Sequence, residues 1–330
     1  MYKNILTAFL SVFFILQVNK CYSISLELPI KCEVGKDCWI TNYVNHGTPE
    51  HPLDPMCGRM TYKTHKGTDF AIRDLVQMRK GVAVVAAADG VVTGVRDGMA
   101  DISLKQLDPL TIKGKECGNG VVIKHENGFE TQYCHLRKGS LKVKPGQPIK
   151  EGAALGYVGL SGMTEYPHLH FSVRKDGKVY DPFAGGVTRN TCKKHRGNIW
   201  SKKSRNDLKY DAGLVYNFGV SASVPTIDEI RRGQHSSGEV SRYASAILGW
   251  LTVFSAQAGD QVIMQLYSPA KVLKAEDSFT IPKYYAHYFR YFGKRLNETF
   301  WENGIWTLKI YYISRQENEK NTYVKQFRVH

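Results

Sequence analysis

The sequence lacks an apolar run long enough to cross a bilayer. Its longest, Ile5 to Val18, is about 14 residues where roughly 20 are needed. Acidic residues are also scarce, 30 against 45 Lys and Arg, which leaves a formal charge of +15. Such an excess attracts polyanions. Yet no nucleic-acid-binding motif is present, and the basic residues are not interleaved with aromatics in a known module, so nucleic acid is not an expected partner. There is no C-x-x-C pair, which argues against zinc held by cysteines. There is no H-E-x-x-H, which excludes the glutamate-base scheme that this motif serves. No motif supports a nucleophilic serine or cysteine.

What is present begins at the N-terminus. Lys3, the short apolar run and Cys21-Tyr22-Ser23 have the form of a secretory signal peptide over 1–23. Val18-Asn19-Lys20 is not the small-apolar sequence that lipid modification of Cys21 requires. Cleavage lowers the charge by two, through Lys3 and Lys20, and leaves no transmembrane segment. Cys32, Cys38, Cys57, Cys117, Cys134 and Cys192 remain. An even count in an exported chain favours disulfides. Cys32 with Cys38 closes a short loop and is the first expected pair; Cys117 and Cys134 lie near each other across a hairpin and can form a second.

The chemistry concentrates in two stretches. Tyr166-Pro167-His168-Leu169-His170-Phe171 places two histidines two apart before an apolar run. Alternate residues of a strand share a face, so His168 and His170 point one way and Leu169 the other. Upstream, Thr64-His65-Lys66-Gly67-Thr68-Asp69-Phe70-Ala71-Ile72 reads as a loop entering a strand. Zinc accepts histidine nitrogen and aspartate oxygen, and a catalytic zinc keeps three protein ligands. His65, Asp69 and one histidine of the later pair meet that count. Between these stretches, Asn127-Gly128 separates two strand-like runs, a strong hairpin signal, and the second run ends on His135.

Taken in order, H-x-G-x-D, a hairpin ending in Tyr-x-His-Leu, V-x-P-G-x-x-I-x-x-G and Pro-His-Leu-His-Phe resemble the lysostaphin/LytM-type zinc metallopeptidase family over about residues 57–183. The resemblance implies one Zn²⁺ per chain on His65, Asp69 and His170, with His135 and His168 as the catalytic pair. It also implies hydrolysis of peptide crosslinks in peptidoglycan, in its Gram-negative branch the D-alanyl bond to diaminopimelate. The alternatives are an exported zinc protease acting on proteins and a non-catalytic regulator of other wall hydrolases.

The rest of the chain sets the domain plan. Residues 24–56 form an N-terminal disulfide-containing segment, in which His46 and His51 read as solvated loop histidines. Residues 57–183 are the metallopeptidase domain. Within it, 81–95 reads as two strands around an Asp89-Gly90 turn, 97–116 as a polar surface loop at the site's rim, and His125 as an ordinary strand-end residue. Residues 184–242 are a basic connecting segment with few strand signals. From 243 to 330, five or more short strands suggest a β-sandwich-like domain, whose surface is available for a protein partner. The expected fold is mainly β, a small Gly-rich antiparallel sheet plus this sandwich. The expected location is periplasmic or secreted, with peptidoglycan as the polyanion.

Overall fold

The computed structural model describes residues 24–188, 192, 197–297, 299–315 and 319–330. The expected signal peptide, Cys21 within it, and the basic residues 193–196 lie outside the described residues.

The fold is mainly β. Chain order in the first part is β1 (Cys38–Asn42), β2 (Thr68–Ile72), β3 (Ala83–Val85), β4 (Gly90–Arg96), β5 (Asn119–Lys124), β6 (Phe129–Leu136), β7 (Pro148–Ile149), β8 (Ala154–Tyr157), β9 (His168–Lys175), β10 (Lys178–Asp181) and β11 (Gly186–Val187). One antiparallel sheet runs β1-β2-β9-β6-β5-β4-β7, with β10 and β11 continuing from β9. Its inner strands alternate as their sequences require. Leu169, Phe171 and Val173 of β9 enter a core with Phe70, Val121, Ile123 and Tyr133, so His168 and His170 take the opposite face. Asn127-Gly128 does close the β5–β6 hairpin, with Asn127 at φ +55° and Gly128 at φ +74°.

The Asp89-Gly90 expectation needs correction. Strands form on both sides, but β3 pairs with β8, and β4 pairs with β5 and β7. Gly90 serves close approach rather than a hairpin. A Cβ there would lie 2.5 Å from the Lys124 carbonyl oxygen.

The second part contributes β12 (Leu214–Ser221), β13 (Glu239–Val240), β14 (Ala246–Ala256), β15 (Gln261–Tyr267), β16 (Leu273–Thr280), β17 (Tyr285–Arg295), β18 (Gly304–Ile313) and β19 (Lys320–Val329). They form a three-stranded sheet, β12-β14-β17, and a five-stranded sheet, β13-β19-β18-β15-β16. Ile247, Leu251, Val253, Val262, Trp306 and Ile310 fill the space between them. Two of these strands, β12 and β13, lie before residue 243, in the stretch expected to be a connection. Asn217 and Gly219 interrupt the apolar pattern of β12, and β13 is two residues long, which hides both in the sequence. Likewise, the segment 24–56 is not set apart, because β1 is an edge of the main sheet.

Every residue of β14 is buried. One face packs into the sandwich. The other carries Phe254, which stacks on Tyr216 at 3.8 Å between ring centroids and joins Trp39 and Ala71 in a small aromatic cluster. The sandwich thus docks on the sheet beside β1 and β2.

All six remaining cysteines are paired: Cys32–Cys38, Cys117–Cys134 and Cys57–Cys192. The last joins residues 135 apart and ties Cys192 to the loop before His65.

Candidate metal centre

The antiparallel register of β2 against β9 places Asp69 opposite His170 and Ala71 opposite His168. His65 enters from the loop before β2, where Thr64 takes φ +62°. Asp69 Oδ1 lies 3.1 Å from His65 Nε2 and 2.8 Å from His170 Nδ1, and those two nitrogens are 3.2 Å apart. His65, Asp69 and His170 are therefore three donors turned on one point.

Their surroundings settle which atoms are donors. A carbonyl can only accept, so the 2.7 Å contact from His65 Nδ1 to the Tyr43 carbonyl places a proton on Nδ1 and leaves a lone pair on Nε2. Asn42 Nδ2 donates to Asp69 Oδ2 at 3.0 Å, so Oδ1 alone faces the histidines. Burial would push the Asp69 pKa up, but the neighbouring imidazoles of His65, His168 and His170 outweigh it and hold the carboxyl well below its usual range. For His65, burial pulls down, and the Asp69 carboxylate reverses the sign. Two imidazole nitrogens converging on a buried carboxylate oxygen make a donor set that suits a cation. Tetrahedral bonds of about 2.0–2.2 Å separate donors by roughly 3.4 Å, so these three fit zinc with small adjustments. A histidine that donates its other ring N–H to a carbonyl is the usual support for such a ligand.

Gly67, the glycine of H-x-G-x-D, has a defined job. A Cβ there would lie 2.6 Å from the Phe171 carbonyl oxygen and 2.7 Å from the His170 ring. Only a glycine lets the loop pass beneath that imidazole.

His135 and His168 flank the three donors. His135 ends β6 with φ +63°, a strained position for a residue with a Cβ. Its backbone N–H donates to the Cys117 carbonyl, and the Gly159 N–H donates to its carbonyl. Its Nδ1–H donates to the Ser161 carbonyl at 2.8 Å. His168 Nδ1 lies 3.0 Å from both the Tyr166 carbonyl and Thr164 Oγ1, and its Nε2 lies 3.5 Å from Asp69 Oδ1. The two rings are 4.7 Å apart. Burial, then the neighbouring His168 and His170, hold the His135 pKa well below the ordinary histidine value. Burial lowers that of His168 also, with Asp69 acting against it. Both imidazoles stay neutral near pH 7 with Nε2 ready to accept a proton.

The five sequence-expected histidine and aspartate positions thus meet in one place. The sequence offered no signal for Asn42 or the Tyr43 carbonyl, because both act across 22 to 27 residues through β1. Nor did it flag Tyr62, whose ring lies 4.4 Å from that of His65. The loop 97–116 does pack at the site's rim: the Leu104 N–H donates to the Thr164 carbonyl. His125 is an ordinary strand-end residue, bonded to the Asp89 carbonyl and Thr131. His46 requires correction. It is 1 % exposed, and its Nε2 lies 2.6 Å from buried Asp181. It is a structural pair beneath the loop. His51 is exposed.

Residues 63–182 match the model of Peptidase family M23. Over 124 residues the chain is 32% identical to the DD-carboxypeptidase/endopeptidase Mpg of Neisseria meningitidis, covering 37% of this chain and 23% of that protein. Over 135 residues it is 34% identical to the peptidoglycan DD-endopeptidase ShyA of Vibrio cholerae, covering 41% and 25%. The chain spans about a quarter of the length of these curated relatives. Among solved structures, it aligns with a zinc-containing peptidase from Vibrio cholerae at TM-score 0.31 and 26% identity, over 48% of this chain and 38% of that one. It aligns with the catalytic domain of lysostaphin from Staphylococcus simulans at 0.29 and 21%, over 43% and 87%. Motif order and the family match agree, and residues 63–182 form a Peptidase family M23 domain of the lysostaphin/LytM type.

Proposed function

We propose that this protein is an exported zinc-dependent endopeptidase that hydrolyses peptide crosslinks of peptidoglycan, the D-alanyl–diaminopimelate bond first among them. The observation that carries it is the convergence of His65, Asp69 and His170 between two neutral, oriented imidazoles. The names of the matched relatives, a DD-carboxypeptidase/endopeptidase and a peptidoglycan DD-endopeptidase, support the substrate class.

His65 Nε2, Asp69 Oδ1 and His170 Nδ1 would hold one zinc. When bound there, zinc supplies a Lewis acid for the scissile carbonyl and lowers the pKa of water towards about 7. The chain's own groups do the rest. His135 and His168 keep Nδ1 occupied by carbonyls, so each presents Nε2 to the substrate side. One accepts the proton of the attacking water. The other, once its own Nε2 has taken up a proton from solvent, steadies the developing oxyanion or gives that proton to the leaving amine. Neutral imidazoles suit this work near pH 7, because a protonated one cannot act as the base. Asn42 and Tyr43 keep the ligands from rotating.

The wider plan follows. Residues 1–23 direct export, and the oxidising compartment outside the cytoplasm suits three disulfides. No helix among the described residues is long and apolar enough to cross a membrane. We assign the site to the unit built on the main sheet and give the sandwich a separate, non-catalytic role.

The deciding experiment incubates metal-analysed protein (residues 24–330) with purified peptidoglycan and identifies released muropeptides by mass spectrometry. One zinc per chain and crosslinked dimers falling to monomers is the expected result. Bound zinc with intact dimers would overturn the substrate assignment.

A further inference from the structure

Between the main sheet and the sandwich lies a cleft of about 640 Å³ that the hydrolytic site does not use. Its lining joins Lys36, Arg73 and Lys80 from one side to Lys325 from the other. Asp74 is the one acid among the described residues that line it. That carboxylate is already engaged: it accepts the Gln77 N–H at 2.8 Å as the N-cap of the short helix α1 (Leu75–Lys80), and lies 3.5 Å from Arg73 Nε. Lys36 is bonded to Glu33 at 2.8 Å, so the uncommitted positive charge lies on Lys80, Lys325 and, in part, Arg73.

Lys325 is out of place by the pattern of its own strand. On β19, Phe327 and Val329 face the sandwich core, and Tyr323 packs against that core. Alternation puts Lys325 in this inward row. A lysine there gives up hydration and faces Arg73 across the cleft. Burial, then the Arg73 charge, push its pKa below the usual lysine value. Two like charges brought together at an interface cost stability unless an anion sits between them. The cleft wall also carries Trp39, whose indole N–H is buried without a hydrogen-bond partner. Trp39 pairs with Ala71 in the β1–β2 register, two residues along the strand from Asp69. Strand geometry puts it about 8 Å from the metal ligand, on the same sheet face.

We propose that this cleft is an anchoring subsite for free peptide carboxylates, with Arg73 and Lys325 clamping the anion and Trp39 bounding it. The idea rests on the peptidoglycan assignment above for its ligand: stem peptides bear free carboxylates at regular intervals. One stem held in the cleft fixes the polymer while a neighbouring crosslink is presented to His135 and His168. The formal positive charge of the chain then has a local purpose and is not merely a diffuse attraction.

The test is a cycle between protein charge and ligand charge. Zinc-loaded wild-type protein and the double variant Arg73→Gln, Lys325→Gln are titrated calorimetrically with an uncrosslinked disaccharide-tetrapeptide, and with the same muropeptide methyl-esterified at its carboxylates. The wild type should bind the free acid at least tenfold more tightly than the ester, and the variant should bind both alike. Thermal melting and zinc content establish that the variant is folded. Equal affinity of wild type and variant for the free acid overturns the proposal. So does a variant that weakens acid and ester equally, or a wild type that binds neither. Crosslink cleavage by the wild type is scored separately. Its absence with the charge coupling intact would overturn the endopeptidase assignment alone, and cleavage without coupling would overturn only the subsite.

Discussion

Asn42 and Asp69, 27 residues apart in sequence, are joined by one hydrogen bond of 3.0 Å from Nδ2 to Oδ2. That bond fixes which carboxylate oxygen faces His65 and His170. Partners of this kind commonly influence metal affinity by 10- to 100-fold. Asn42→Ala should therefore raise the zinc dissociation constant by about tenfold or more in a chelator competition, with little change in melting temperature of the metal-free protein. An unaltered dissociation constant would show that Asp69 is held by other means.

The proposed division of labour among the histidines separates by two readouts. His168→Ala and His135→Ala should each lower turnover by about 100-fold or more and retain zinc, since general acid–base groups contribute 10²–10⁴. His170→Ala should lose zinc and activity together. Zinc retained in the His170 variant, or full turnover in either of the others, would refute these roles.

Gly67→Ala forces a Cβ to within 2.6 Å of the Phe171 carbonyl oxygen and 2.7 Å of the His170 ring. The strand cannot yield, so the ring must rotate away. Zinc stoichiometry measured after dialysis should fall well below one per chain, although Gly67 itself binds nothing. Stoichiometric zinc would mean that the loop has room to shift.

Acid should destabilise the metal-free protein through its buried imidazoles. The folded-state pKa of His135 lies well below its unfolded value of about 6.5. Its contribution is therefore complete above about pH 6.5 and is lost as pH falls below it, because the unfolded chain then binds the proton more readily. His168 acts in the same direction, and His65, whose pKa is raised, in the opposite one. The clean comparison is His135→Gln. Between about pH 5 and 6.5, its urea-unfolding free energy should rise with pH less steeply than that of the wild type, by up to about 1.4 kcal/mol per pH unit. Parallel slopes would contradict a neutral buried His135.

The Cys57–Cys192 bond closes a loop of 135 residues. Chain-entropy arguments assign such a crosslink about 4–5 kcal/mol. Replacing both cysteines by alanine should lower the urea midpoint substantially, more than removal of the Cys32–Cys38 loop of six residues does.

The site was legible because its chemistry is local in sequence or periodic. His168 and His170 alternate on one strand, His65 and Asp69 flank a single glycine, and His135 follows a hairpin whose Asn-Gly turn is self-evident. In the sandwich, β15 and β18 are legible from alternation and β14 from its continuous apolar run. What escaped notice depends on tertiary context. β16 carries Lys274, Glu276 and Asp277 on an exposed edge, so it lacks an apolar stripe. β12 gains its burial from both the sandwich and the main sheet. His46 looks solvated until Asp181, 135 residues later, is placed against it. Asn42 and Tyr43 are ordinary residues until strand pairing brings them to Asp69 and His65.

β14 has no solvent face, and that has a mechanical consequence. One side of the strand belongs to the sandwich core, and the other leans through Phe254 and Tyr216 on Trp39 and Ala71, beside Asp69. Loosening either half therefore uncovers aromatic surface on the other. The chain should melt as one unit, and a version cut off after residue 188 would expose Trp39 and Tyr166 to water and aggregate before it revealed anything about catalysis.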